Sequence, residues 1–168
     1  MKLIDGILQR ARECKAYLDS GDAVKEHLAP MERRILSMQS EQLLEGKRPD
    51  GGDLRPYYSE DPYFTVEGNW GGSPDAYKAW KSTLPNWDNP KRNPDAPNLY
   101  INGKFHSELG CYFEAEGILI TGATAYAAEI VAKYRNDSFG LSGERWAALM
   151  REVLPDIVKR LKQIMNVR

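Results

Sequence analysis

The residues best equipped for catalysis or metal binding are two histidines and two cysteines, and their spacing favours neither chemistry. His27 lies beside an apolar helical stripe, and His106 stands between Phe105 and Ser107. Neither belongs to a His-x-x-x-His or Cys-x-x-Cys pattern, the spacings that bring two ligands or a redox pair together. A lone imidazole can still act as a general base because it titrates near neutrality. An enzyme reading would therefore be centred on His106, with the rest of its site assembled from scattered residues. A structural or surface role is the expectation for both histidines. Cys14 and Cys111 are far apart and in no metal or redox spacing, so they are expected to be reduced, buried thiols.

Other candidate chemistries fail on pattern. Gly51-Gly52 and Gly71-Gly72 do not continue into Gly-Lys-Ser/Thr, so turns are expected there and not phosphate loops. Asp50, Asp53, Glu60 and Asp61 lack the alternating ligand order and closing Glu of a calcium loop. No catalytic residue, cofactor site or metal site is assigned. What stands out instead is a set of large rings between residues 46 and 98. Tyr57, Tyr58, Tyr63, Phe64, Trp70, Tyr77, Trp80 and Trp87 are too many for a solvated tether. Rings can stack on unpaired bases, but that also needs a positive groove. Here Lys47, Arg48, Arg55, Lys78, Lys81, Lys91 and Arg92 are matched by at least as many acids, so direct nucleic-acid binding is not expected. The seven rings other than Tyr77 are the candidate protein interface, since Trp and Tyr dominate interface hot spots. The alternative is that they pack on their own domain.

The elements that must position these residues fall into three parts of one expected domain. At 168 residues, with 42% hydrophobic and 28% charged residues, the chain can bury a real core. A net charge of −1 gives no global attraction to DNA or an anionic membrane. No apolar stretch is long enough to span a bilayer, and the first residues lack the apolar run of a signal peptide. A cytoplasmic origin is expected.

Residues 1–45 read as a helical hairpin. Leu3, Ile4, Ile7, Leu8, Ala11, Cys14 and Leu18 recur at helical spacing, Ser20-Gly21-Asp22 breaks the helix, and Asp22 is the expected next N-cap. Val24, Leu28, Met31, Ile35 and Met38 mark the second helix, which Pro30 must kink or restart. Residues 46–98 hold eight of the ten prolines, which excludes continuous helix or central strand over most of the segment. One short helix opens at Ser73-Pro74, and the segment is expected to wrap over the outside. From residue 99 the reading is an extended Leu99-Tyr100-Ile101, a turn at Asn102-Gly103 and a short helical turn. A strand from Cys111 to Ala115 then turns at Glu116-Gly117 and returns over 118–121. A helix over 123–134 follows, and Ser142 caps a long final helix. Its stripe is Trp146, Leu149, Val153, Ile157, Leu161 and Ile164, with Pro155 expected to bend it. The fold class is α+β: an N-terminal helical hairpin and a long C-terminal helix on a small antiparallel β-sheet, with a long Pro- and aromatic-rich insertion.

The order of elements at the end carries a resemblance. Leu99-Tyr100-Ile101-Asn102-Gly103-Lys104-Phe105-His106-Ser107-Glu108-Leu109, followed by a β-hairpin, is similar to a segment of small neck and tail-completion proteins of tailed bacteriophages. Asn102 stands where that family usually has Thr, and Glu108 adds one residue. Gly122-Ala123-Thr124-Ala125-Tyr126-Ala127 resembles the family's Tyr-Ala helix start, and Phe139-Gly140-Leu141 fits before the last helix. Gln42-Leu43, Gly46, Gly51 and Leu54-Arg55-Pro56-Tyr57 resemble its helix-to-loop passage more weakly. The resemblance implies a virion component assembled in the bacterial host cytoplasm. It further implies a homo-oligomeric ring contacting portal, neck or tail proteins, with no cofactor. The rival expectations are a small regulatory protein binding one host partner, and the enzyme centred on His106.

Overall fold

The computed structural model describes residues 2–115, 117–122, 127–134 and 138–167. The fold is α+β, with helices at both ends of the chain and a two-stranded antiparallel sheet. The chain divides into two compact units. One comprises Met1–Ile35, Cys111–Leu119 and Glu144–Arg168; the other comprises Leu36–Gly110 and Ile120–Gly143.

In the first unit, α1 spans Lys2–Asp19. Tyr17 is buried, with Arg10 and Cys14 half-buried on the same side by their spacing of four and three. The Arg10 guanidinium donates to the Met165 carbonyl at 3.1 Å, and the Cys14 thiol lies 3.8 Å from the Leu161 carbonyl. Ile4, Ile7, Leu8 and Leu18, the expected apolar stripe, lie exposed. Gly21 ends the passage from α1 at φ +78°, and a Cβ there would stand 2.6 Å from the Ala115 Cα, so only glycine fits. The Asp22 amide donates to Ser20 Oγ at 3.3 Å, and no side chain caps the helical stretch that begins at Val24, so the expected Asp22 cap is not made.

Pro30 restarts the second helix instead of kinking it. The chain makes a π-helical turn over Val24–Leu28 and a 3-10 turn over Ala29–Met31 before α2, Glu32–Leu44, begins. Proline has no N–H and crowds the preceding turn, so regular α hydrogen bonding resumes only after it. Leu28, Ile35 and Met38 are buried along this stretch, as their spacing requires. The last helix, α7, spans Gly143–Met165 and continues through Pro155. Leu149 and Val153 are buried, but Trp146 is 39% exposed and so leaves the expected stripe.

The second unit begins inside α2. Its core is Leu43, Leu54, Phe105, Leu109 and Ala127, with Leu36, Leu99, Ile130 and Phe139 packed against it. Two fully buried glutamines on α2 bind the backbone of residues 138–142. Gln39 donates to the Ser138 carbonyl and accepts from the Gly140 amide; Gln42 donates to the Gly140 carbonyl and accepts from the Ser142 amide. Each buried amide thus satisfies both of its ends.

The Pro-rich stretch does not merely wrap over the outside: its Leu54 belongs to this core, and its Tyr58 and Ala96 are buried as well. It holds α3, Pro62–Thr65, a 3-10 turn over Trp70–Gly72, and α4, Pro74–Lys81. Asp61 caps α3 by accepting from the Tyr63 amide at 3.0 Å, and Ser73 caps α4 by accepting from Ala76 at 3.2 Å. Leu99 is not extended but left-handed, with φ +52°. Gly103 makes the expected turn at φ +80° and leads into α5, Lys104–Ser107. The strands are β1, Leu109–Glu114, and β2, Gly117–Gly122; the expected turn residue Glu116 lies outside the described residues. The described part of the next helix is α6, Ala127–Tyr134, and residues 123–126 of the expected element lie outside.

Candidate functional site

Tyr58, Phe64 and Tyr77 form a second buried cluster in the second unit, with Trp80 and Trp87 packed against it. Their arrangement follows from local structure. The Asp61 cap starts α3 so that Phe64 turns inward, and the Ser73 cap starts α4 so that Tyr77 and Lys81, four apart, share its buried face. Tyr58 meets Phe64 and Tyr77 edge-on at ring distances of 5.4 and 5.0 Å. Trp70 reaches Tyr77 and Trp80, each at 5.1 Å.

The seven rings expected at an interface are therefore not one surface. Tyr58 and Phe64 are core residues; Tyr57, Trp80 and Trp87 are half-buried; Tyr63 and Trp70 are exposed. Tyr57 donates to Asp53 at 2.8 Å and lies beneath the Arg55 guanidinium at 4.0 Å. Trp87 lies beneath the guanidinium of buried Arg92, also at 4.0 Å.

The acids near this segment have protein partners. Asp53 accepts from Lys47, Tyr57 and Asn93. Burial alone would raise its pKa, but these bonds outweigh it and hold the carboxyl below the usual carboxylate range. Asp61 pairs with Lys133, Asp50 with Arg48, and Glu60 with Arg55. Among the described residues no group of three or more His, Cys, Asp or Glu side chains could hold a metal ion.

His106 is tied on both ring nitrogens. Nε2 lies 3.0 Å from the Asn98 carbonyl, which can only accept, so Nε2 carries the proton. Nδ1 then accepts from Ser40 Oγ at 2.9 Å. Burial lowers the pKa of this imidazole and keeps it neutral, partly opposed by the bond to Asn98. His27 also has a partner, Tyr17 Oη at 2.9 Å. Burial and the neighbouring Glu26 push that phenol up to about 12. Cys14 and Cys111 are free but half-buried, less enclosed than expected. Burial pushes the Cys111 thiol up to about 11, which suppresses the reactive thiolate.

Beside the ring cluster is a cavity of about 420 Å³. Tyr77, Leu99, Phe105, Ile130 and Tyr134 give it apolar walls, and Lys81 also lines it. Lys81 is only 3% exposed. Its ammonium makes one hydrogen bond among the described residues, a long one of 3.5 Å to Tyr77 Oη, and no ion pair. Burial pulls its pKa down to about 8, and nearby Arg92 adds to the shift. By type and position Lys81 is one of seven basic residues that acids balance in this segment. Its i, i+4 relation to Tyr77 on a capped helix was the signal that it shares the buried face.

No protein-family model, curated protein or solved structure matches this chain.

Proposed function

We propose that this protein is a non-enzymatic structural component of a tailed-bacteriophage virion, joining or completing the connection between the capsid portal and the tail through self-association. The reading rests on the sequence resemblance of residues 99–168 to neck and tail-completion proteins. The structural observation that carries it is the amount of large apolar side chain left facing water. On α1, Ile4, Ile7, Leu8 and Leu18 are 47–62% exposed, and on α7 Leu154 and Val158 are 49% and 40% exposed. Tyr112 and Leu119 on the hairpin add to this surface. Scattered apolar residues are ordinary, but four at helical spacing on one helix call for a cover. Assembly into a ring would supply it by heterologous contacts, in which one surface meets a different surface of the next copy.

The occupied nitrogens of His106 favour a structural histidine over a catalytic base, which weighs against the enzyme reading. Sedimentation velocity across a wide concentration range tests the proposal. A closed oligomer of fixed mass is expected; a monomer at every concentration, or a stable one-to-one complex with a host protein, would overturn it.

A further inference from the structure

We propose that the cavity beside the ring cluster binds a small organic anion, a carboxylate on an apolar body, with Lys81 as its charge partner. Three observations converge. The volume of about 420 Å³ lies in the range of small-molecule sites, and the walls are predominantly apolar. A buried cation paired with no carboxylate among the described residues is the second. An ammonium enclosed at 3% exposure with a single long hydrogen bond is poorly solvated, and an incoming anion would restore what burial removed. The third is strain at the same place. Leu99 lines the cavity with a left-handed backbone at φ +52°, a conformation that bulky aliphatic residues rarely adopt.

Charge at the site points the same way. The other lysine lining the cavity, Lys133, is neutralised by Asp61, whereas Arg92 near Lys81 adds positive potential. Glu129 also lines the cavity but is exposed and makes no ion pair with Lys81 among the described residues. The ligand class is thus a monoanion small enough to be enclosed, with an aliphatic or aromatic body that contacts Tyr77, Phe105 and Ile130.

Octanoate and octanol, which share a body and differ in charge, are the probes. Calorimetric titration of the full chain should show octanoate binding about tenfold or more tightly than octanol, the order expected for a charge-assisted contact. Lys81→Met should abolish that preference while leaving the variant folded. A readout on the unaltered protein guards against a misfolded variant: octanoate, but not octanol, should slow the reductive methylation of Lys81 that local opening of this buried site permits, followed by peptide mass spectrometry. Equal affinity for the two probes, no binding of either, or unprotected Lys81 would each overturn the proposal.

Discussion

Burying the Lys81 ammonium without an acid carries a cost that pH should expose. At neutral pH both folded and unfolded chains hold this proton, so the folded state bears the full penalty. As pH rises through about 8 the folded chain releases the proton, and the penalty shrinks until the unfolded side chain titrates near 10.5. The shift corresponds to an order of 3 kcal/mol. Lys81→Met is accordingly expected to be more stable than the parent at pH 7, with the gap narrowing toward pH 9. Urea unfolding at pH 7, 8 and 9 measures it, and a gap independent of pH would contradict the assignment. Cys111, Tyr58 and Tyr77 titrate later because burial raises all three, and they are common to both proteins. Gly21 is the other residue with a sharp expectation. Alanine there adopts an unfavourable φ and drives its Cβ against the Ala115 backbone, so Gly21→Ala should cost about 1–3 kcal/mol or more. A thermal melt with unchanged stability would show that the hairpin can yield. Neither environment is legible from the residue type alone: lysine is usually solvated, and Gly21 reads only as a helix stop.

At the scale of elements, signals set by neighbours in sequence are legible. Ser73-Pro74 opens α4, Asn102-Gly103 turns the chain, and β1 and β2 lie within two residues of their expected bounds. Each rests on local hydrogen bonding or hydrophobic period. What depends on distant partners is not legible. The outward stripe of α1 has the same period as an inward one, and only the contacts of Arg10, Cys14 and Tyr17 decide the rotation. Leu99 reads as extended because it is apolar, yet it is left-handed where it packs on the core. Gln39 and Gln42 look like surface residues of α2 and prove to be its most enclosed polar contacts. Gln42→Ala removes two hydrogen bonds and leaves the Gly140 carbonyl and Ser142 amide without that partner. A loss of about 2–4 kcal/mol is expected from the usual cost of orphaned buried groups. Gln42→Glu should restore only the bond from Ser142, so chemical denaturation of the two variants separates the two halves of the contact.

For the molecule as a whole, the α1 stripe is the place to test assembly. Replacing Ile7 and Leu8 by Asp should cost the monomer no more than about 1–2 kcal/mol, since both sites are half exposed and Asp is the weaker helix former, while lowering the sedimenting mass to that of one chain. An oligomer that survives the pair would move the contact to the hairpin or α7. The same logic limits what the rings can do: Tyr63 and Trp70 remain available to a neighbour, but Tyr58 and Phe64 are already spent on the protein's own interior. The glutamine pair on α2 carries one last implication, for ancestry. Those two amides read only main-chain atoms of 138–142, so the side chain of Leu141 can change over generations without weakening the grip. Distant cousins of this chain should therefore keep Gln39, Gln42 and the left-handed Gly140 while the text between them drifts.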